Sequence, residues 1–402
     1  MRIVGIIAEY NPFHNGHQYH IEKAKELAHA DAVVVVMSGN FVQRGVPAIM
    51  PKQMRTEIAL QSGASLVIEL PPIYATGTAE QFAYGAVSLL DKLGCVDAIC
   101  FGSECGDIYA LEEIAEILSE EPLEYKELLQ DLLKTGLSFP VARQRALQAI
   151  YLEKEFDRIL DSPNNILGIE YLKALHRLQS KIVPLTLPRK ISGYHDTELR
   201  ENYSSASAIR NLIEEHRFTE LEEQLPQGCI TYFFQNFEQR FPIYANDFSL
   251  LLKYRLLNET KTSLATYADV SEDLANRIFN LQNQLENFEQ FCALLKTKEL
   301  TYTRISRALL HIILGIKKED DVEIEYAHVL GFSLKDATVM STIKKHSSIP
   351  LLTKLTATKE LSKQANNMLT KDIYVSNLYE AVLADKFHLK PINEYEHPVV
   401  RI

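Results

Sequence analysis

Four short apolar runs in the first quarter of the chain limit what it can fold into: "RIVGIIA" (2–8), "AVVVVMS" (32–38), "SLVIEL" (65–70) and "AICFG" (98–102). A strand with one wet face alternates polar and apolar residues, whereas a strand covered on both faces reads as a continuous apolar run. Between the runs, "HQYHIEKAKELAHA", "KQMRTEIALQSG" and "EQFAYGAVSLLDKLG" carry helical periodicity, two of them closing at or near glycine. Buried strands separated by helices predict an α/β fold, a doubly wound parallel sheet with right-handed crossovers.

Beyond Cys105 the pattern becomes helical, and a helical insertion is expected at about 107–178. Residues 109–136 hold eight acidic residues against two lysines, the composition of a solvated helical face. The sheet resumes at "KIVPLTLP" (181–188), followed by the serine-rich helix start "SSASAIRNLIEE". From about 235 the alternation is lost. "TYTRISRALLHIILGI" (301–316) reads as an amphipathic helix and "EIEYAHVLGF" (323–332) as a short strand, and 335–371 carries seven lysines against Asp336 and Glu360, a local balance of +5. The expected division is an α/β domain, 1–234, and a mainly helical domain, 235–402.

Composition narrows the class. The 402 residues are 46% hydrophobic and 24% charged, ordinary for a globular protein. No apolar stretch reaches the roughly 20 residues of a membrane helix and no signal-peptide pattern is present, so the expectation is a cytoplasmic protein with no membrane partner. Five cysteines form no C-x-x-C pair, which leaves zinc knuckles and dithiol redox chemistry unsupported. A net charge of −11 argues against indiscriminate coating of nucleic acid, DNA included, while leaving room for a local basic face.

The chemistry concentrates where the first strand hands over to the first helix, at "EYNPFHNGHQYH" (9–20). A helix N-terminus presents unpaired N–H groups and partial positive charge, a ready anion site. Gly16 allows a phosphate close to the backbone, and His14 and His17 flank the position an oxyanion would take. The spacing His14-x-x-His17-x-x-His20 also suits zinc, but no cysteine or spaced carboxylate completes a set, so no metal site is expected. Chance and plain helix capping are the other readings the residues allow.

"HNGH", following a buried strand, resembles the H-x-G-H signature of the nucleotidyltransferase superfamily. Together with "GIIAEYNPFHNGHQYH", "MSGNFVQRGVPAI", "FGSE", "SPNNILGIEY" and "SSASAIR", the chain resembles the bacterial tRNA-Met cytidine acetate ligases over nearly its whole length. The resemblance implies a HIGH-type ATP-binding catalytic domain at 1–234 and a tRNA-binding role for 235–402. It implies activation of acetate by ATP to acetyl-adenylate, then acetylation of the exocyclic amine (N4) of the wobble cytidine of elongator tRNA-Met. Magnesium is expected with ATP. By the same resemblance the ATP cradle comprises Ile7, Ala8, Glu9, Tyr10, Asn11, Pro12, Phe13, His14, Asn15, Gly16, His17, Gln18, Tyr19 and His20, with Gly102, Asn164, Arg189 and Lys190 as further contacts. The catalytic set it implies is His14, His17, Ser207 and Arg210. "SSASAIR" departs from the usual I-S-S-T-x-x-R, with Ala206 and Ser207 in place of a Ser-Thr pair.

The residues themselves agree with part of this. Gly102 ends a buried strand at the sheet edge where ligands bind, although a strand-to-loop glycine needs no ligand. Ser162-Pro163 is a helix start that capping alone explains. Arg189, after a strand and a proline, could clamp phosphate or stack on a base. The polar loop "SGNFVQRGVPA" is expected to overhang the phosphate site and hold acetate through Ser38, Asn40 or Gln43 against the wall of Phe41. Two rivals stay open: a mononucleotide adenylyltransferase with the same cradle, and a non-catalytic tRNA-binding protein on this fold.

Overall fold

The computed structural model describes residues 1–137, 139–151, 156–189, 205–359 and 361–402. Its strands are β1 (Ile3–Ala8), β2 (Ala32–Ser38), β3 (Phe41–Val42), β4 (Val46–Pro47), β5 (Leu66–Leu70), β6 (Ala98–Ser103), β7 (Val183–Pro188), β8 (Ala327–Phe332), β9 (Leu351–Leu352) and β10 (Val400–Arg401). The main sheet runs β10-β8-β5-β2-β1-β6-β7, with β9 beside β8, and β3 and β4 form a separate antiparallel pair. All four apolar runs are strands, and with β7 they make a parallel block, β5-β2-β1-β6-β7.

Residues along each strand alternate between two apolar clusters. Ile3, Val34, Val36, Leu66 and Ile68 belong to one, and Val4, Ile6, Val33, Val35, Met37 and Val67 to the other. Helices α1 (Asn15–Leu27) and α2 (Lys52–Gln61) cover the second face, through Ile21, Ala24, Met54 and Ile58. The helices Ala79–Lys92, Pro163–Leu178 and Tyr302–Leu314 cover the first. Coverage on both sides explains the uninterrupted apolar runs.

Two expectations change in detail. The sheet is not wholly parallel, because β8 lies antiparallel to β5. A strand reached through a long helical excursion is not bound to the parallel return that a short β-α-β crossover imposes. The division at 234/235 also does not divide the sheet, since β8, β9 and β10 all lie beyond it. Among the described residues from 108 to 178 every regular element is a helix, from Ile108–Glu120 to Pro163–Leu178. Among the described residues no helix is long and apolar enough to cross a membrane.

The strand order fixes where a ligand can sit. From β1 the chain builds outward through β2 to β5, then returns to the other side of β1 for β6 and β7. The crevice outside the carboxyl ends of β1 and β6 is therefore the switch point of the sheet.

Candidate active site

The segment 9–14 crosses from the end of β1 to the start of α1 and is held from several sides. Arg55, on α2 and fully buried, donates from Nη1 to the carbonyls of Glu9 at 2.6 Å and Ser38 at 3.0 Å. Its Nε donates to Met50 O at 3.0 Å and its Nη2 to Gly39 O. One guanidinium thus ties the carboxyl ends of β1 and β2 together, and burial pulls its pKa down only to about 10, so it stays charged. Asn11 Oδ1 accepts the Ile49 N–H at 2.9 Å, and Glu9 Oε1 accepts that of Gln43 at 2.9 Å.

His14 is the N-cap of α1, a position usually taken by Ser, Thr, Asp or Asn. Its Nδ1 accepts the Gly16 N–H at 3.0 Å, while the His14 N–H donates to His17 Nδ1 at 3.3 Å. The two rings stack, centroids 3.7 Å apart. Burial, reinforced by Arg189 and Arg210, lowers the His14 pKa to about 3. Burial, His14 and Arg189 hold His17 well below its ordinary value. Both rings are therefore neutral near pH 7. Because Nδ1 is the acceptor in each, the proton resides on Nε2. Capping and anion binding do not compete here: one nitrogen caps, the other remains a donor.

Ser205 caps the helix Ala206–Glu214 by accepting the Ala208 N–H at 3.1 Å. Arg210 on that helix donates to Asn11 O at 2.8 Å and to Ser207 Oγ at 2.9 Å. The departure at Ala206 and Ser207 thus leaves a hydroxyl bound to the arginine it was expected to work with.

Across the crevice, Glu104 follows β6 and organises the start of the helix Pro163–Leu178. Its carboxylate accepts the Asn165 N–H at 2.9 Å, the Asn164 N–H at 3.3 Å and Asn164 Nδ2 at 2.6 Å. Ser162 stands at the N-cap position, yet its hydroxyl makes no capping bond. A carboxylate from a neighbouring strand end does that work, favourably placed at a positive helix end. Asn164 Oδ1 in turn accepts from Arg189 Nη1 at 2.8 Å. The close approach expected at Gly102 is to Arg189: a Cβ there would lie 3.1 Å from Arg189 Cγ.

Of the residues expected in the cradle, Glu9, Asn11, His14, Gly16 and His17 gather at the end of β1, joined there by Ser207 and Arg210 of the expected catalytic set. Gly102, Asn164 and Arg189 stand at the end of β6, and Arg189 is near enough to lower the pKa of all three histidines. The other expected residues have these surroundings. Tyr10 and Phe13 are buried, their rings 4.7 Å apart and each packed against His17. Pro12 is buried and Ile7 and Ala8 complete β1. Asn15 Nδ2 donates to Glu223 O at 2.9 Å, and Gln18 and Tyr19 lie along α1, half-buried. His20 Nε2 is buried without a partner among the described residues, and burial lowers that ring to about 4. Lys190 lies outside the described residues.

The loop expected to hold acetate is mostly interior. Phe41 packs against Phe248 and Tyr379, centroids 5.4 and 5.8 Å away, so it is a core residue and not a wall over the phosphate site. Asn40 Oδ1 accepts the Lys52 N–H at 2.8 Å. Gly45, with φ +76°, passes so close to the Ser306–Arg307 backbone that a Cβ would lie 2.3 Å from Arg307 N. Ser38, at the end of β2, keeps a buried hydroxyl with no partner among the described residues.

Arg55 and Glu104 were not singled out from the sequence, although "FGSE" carried the signal for the second. Below the loop, Lys52, 1% exposed, contacts Glu69 at 2.7 Å and Glu394 at 2.6 Å. His328 Nδ1 meets the same Glu69 at 2.7 Å. Glu69, His328 and Glu394 are spaced like metal ligands, but the ammonium already satisfies both carboxylates.

The comparisons with known proteins agree along the full chain. A family described as HIGH Nucleotidyl Transferase matches residues 1–393. The tRNA(Met) cytidine acetate ligase of Thermoanaerobacter sp. (strain X514) is 44% identical over 407 aligned positions, covering 100% of both chains. That of Clostridium novyi (strain NT) is 42% identical, covering 95% of this chain and 96% of its own. Among solved structures, apo Thermotoga maritima TmcAL superposes with a TM-score of 0.93 at 33% identity over 100% of both chains. The same protein bound with alpha-thio ATP gives 0.90 at 32% identity over 100% of both. The chain belongs to the HIGH nucleotidyl transferase family and, within it, to the tRNA(Met) cytidine acetate ligases.

Proposed function

We propose that this protein is a cytoplasmic, ATP-dependent ligase that converts acetate to acetyl-adenylate and transfers the acetyl group to N4 of the wobble cytidine of elongator tRNA-Met. The observation that carries the activation half is the paired, neutral His14 and His17 at the start of α1, with Arg210 and Arg189 beside them. The identity of full-length relatives carries the choice of acceptor.

In the first step a carboxylate oxygen of acetate forms a bond to the α-phosphorus of ATP, and the bond from that phosphorus to the β-bridging oxygen breaks, releasing pyrophosphate. Negative charge grows on the α-phosphoryl oxygens and on the leaving group. The Nε2–H donors of His14 and His17, the N–H groups at the start of α1, and Arg210 with Ser207 offer fixed complementary dipoles and charge, which need no rearrangement as the charge develops. Arg189, braced by Asn164 and Glu104, takes the nucleoside end. Ser38 is the donor we assign to acetate, its hydroxyl being the unpartnered one at the neighbouring strand end. In the second step N4 attacks the acetyl carbon, AMP leaves, and the amine loses its proton.

Magnesium, when bound, would neutralise triphosphate charge. The carboxylates Glu69 and Glu394 are committed to Lys52, which favours an ion carried on the phosphates over one held in a protein cage. A mononucleotide adenylyltransferase would share the cradle, but full-length identity to acetate ligases favours the acyl-transfer reading. The test is incubation with labelled acetate, ATP and total tRNA, followed by nucleoside analysis. N4-acetylcytidine in the elongator tRNA-Met fraction is expected; an adenylylated metabolite with no labelled nucleoside would overturn the reading.

A further inference from the structure

A cleft of about 400 Å3 lies between the last turn of the helix Ala206–Glu214, the segment 237–244, and the end of the helix Lys363–Phe387. Its volume falls within the range of small-molecule sites, about 300–1,000 Å3. The chemistry above does not use it. Glu214 stands four residues beyond Arg210 on one helix, about 6 Å along the axis, so the cleft neighbours the adenylate site without belonging to it.

Its surface is aromatic with an acidic rim. Phe237, Tyr244 and Phe387 line it, each half-buried, and His216 meets Phe237 edge-on with centroids 5.9 Å apart. Lys386 Nζ lies 4.8 Å from the Tyr244 ring centroid but is paired with Asp247 at 2.8 Å. Glu214 and Glu238 are exposed and make no ion pair among the described residues. With its lysine neutralised and two carboxylates free, the cleft repels a phosphate. It suits a flat, uncharged ring that stacks on aromatic faces and offers N–H donors. Among the parts of a nucleic acid only a base does this, and a carboxylate acceptor selects one with an exocyclic amine.

We propose that this cleft receives one unstacked base of the RNA substrate that carries an exocyclic amine (cytosine, adenine or guanine, not uracil), whose ring stacks on Phe237 or Phe387 and whose amine donates to Glu214 or Glu238. The proposal rests on the tRNA-acetylating reading and adds to it how the acidic chain grips an RNA without a phosphate contact at this point. The basic stretch 335–371 holds the backbone; the cleft reads a base.

The experiment is direct titration of a fluorescent anticodon stem-loop RNA with the full-length wild type, with a Glu214→Gln/Glu238→Gln double variant, and with Phe387→Ala. A parallel series carries each loop cytosine changed to uracil, each adenine to unsubstituted purine and each guanine to inosine, which removes the exocyclic amine in every case. Wild type should lose affinity by about fivefold or more when the recognised amine is removed. The double variant should bind the parent loop weakly and no longer distinguish it from the amine-free one. Phe387→Ala should weaken binding by about fivefold or more through lost stacking. Acetate-dependent exchange of pyrophosphate into ATP should be unchanged in both. If Phe387→Ala proves unfolded by circular dichroism, the exposed carboxylate pair decides alone. Wild-type affinity and base discrimination in the double variant would overturn the proposal while leaving acetate activation standing. Absence of wild-type exchange, with base discrimination still lost in the double variant, would overturn the acetate reading and keep the cleft.

Discussion

His14 and His17 stack with ring centroids 3.7 Å apart, one accepting the Gly16 N–H and the other the His14 N–H through Nδ1. The helix start is therefore capped by two rings through Nδ1, which leaves each Nε2–H as a donor. Two imidazoles that close, near Arg189 and Arg210, stay neutral at pH 7.

ATP should leave that balance intact. Each Nδ1 is already an acceptor, so phosphate is met by Nε2–H of a neutral ring, and the histidines are expected to take up no proton when ATP binds at pH 7. Calorimetry in buffers of different ionisation enthalpy measures this; heats that vary from buffer to buffer at pH 7 would mean that the rings do not act as neutral donors.

The same lowered values set an acid limit on stability. His14 titrates at about 3 and His20 at about 4 in the folded protein, against an ordinary 6.5. Below pH 6.5 the unfolded chain binds more protons than the folded one, so this contribution, complete above 6.5, is lost as pH falls toward 4. Urea midpoints should decline across that window in wild type, and less steeply in His20→Gln.

Gly16→Val should abolish measurable ATP binding while the protein remains folded. A β-branched side chain at the helix start would occupy the space the phosphates need. Unchanged ATP affinity by calorimetry would remove the cradle.

The sheet core was the most legible part of the sequence, because burial on both faces leaves a composition that few other arrangements produce. The place of the candidate site was legible too, since His14, Gly16 and His17 sit on a strand-to-helix junction, as the structure has it. What the sequence hid was long-range. Arg55 reads as an ordinary helix surface residue until α2 packs over the ends of β1 and β2. Phe41 sits in a loop of polar neighbours and turns out to be core only because Phe248 and Tyr379 arrive from far down the chain. The antiparallel β8 was foreseen as a strand, but nothing local says which strand it will join.

Arg55→Met should be strongly destabilising. It leaves the buried carbonyls of Glu9, Ser38, Gly39 and Met50 without their donor, a loss on the order of 3–5 kcal/mol by analogy with broken buried pairs. The urea midpoint measures it; a change under about 1 kcal/mol would mean that α2 does not organise the crossing segment.

Lys344, Lys345 and Lys354 are exposed. Their combined change to alanine should weaken tRNA binding while acetate activation without tRNA continues. Lost phosphate contacts release fewer counterions, so the slope of log affinity against log salt should fall by up to about 0.9 per duplex contact. An unaltered affinity and slope would move the backbone contact elsewhere, with exposed Arg304 or the Gln43-Arg44 turn as the next places to examine; Arg307 is buried and bound to Asp269 at 2.8 Å.

The central claim is that the His14–His17 pair stabilises charge as pyrophosphate departs. Acetate-dependent exchange of labelled pyrophosphate into ATP, in the absence of tRNA, measures that step alone. His17→Asn retains a side-chain oxygen able to accept the His14 N–H, and is expected to melt near the wild-type temperature. Its exchange rate should fall by about 10²–10³. A folded His17→Asn protein that exchanges at the wild-type rate would contradict the account.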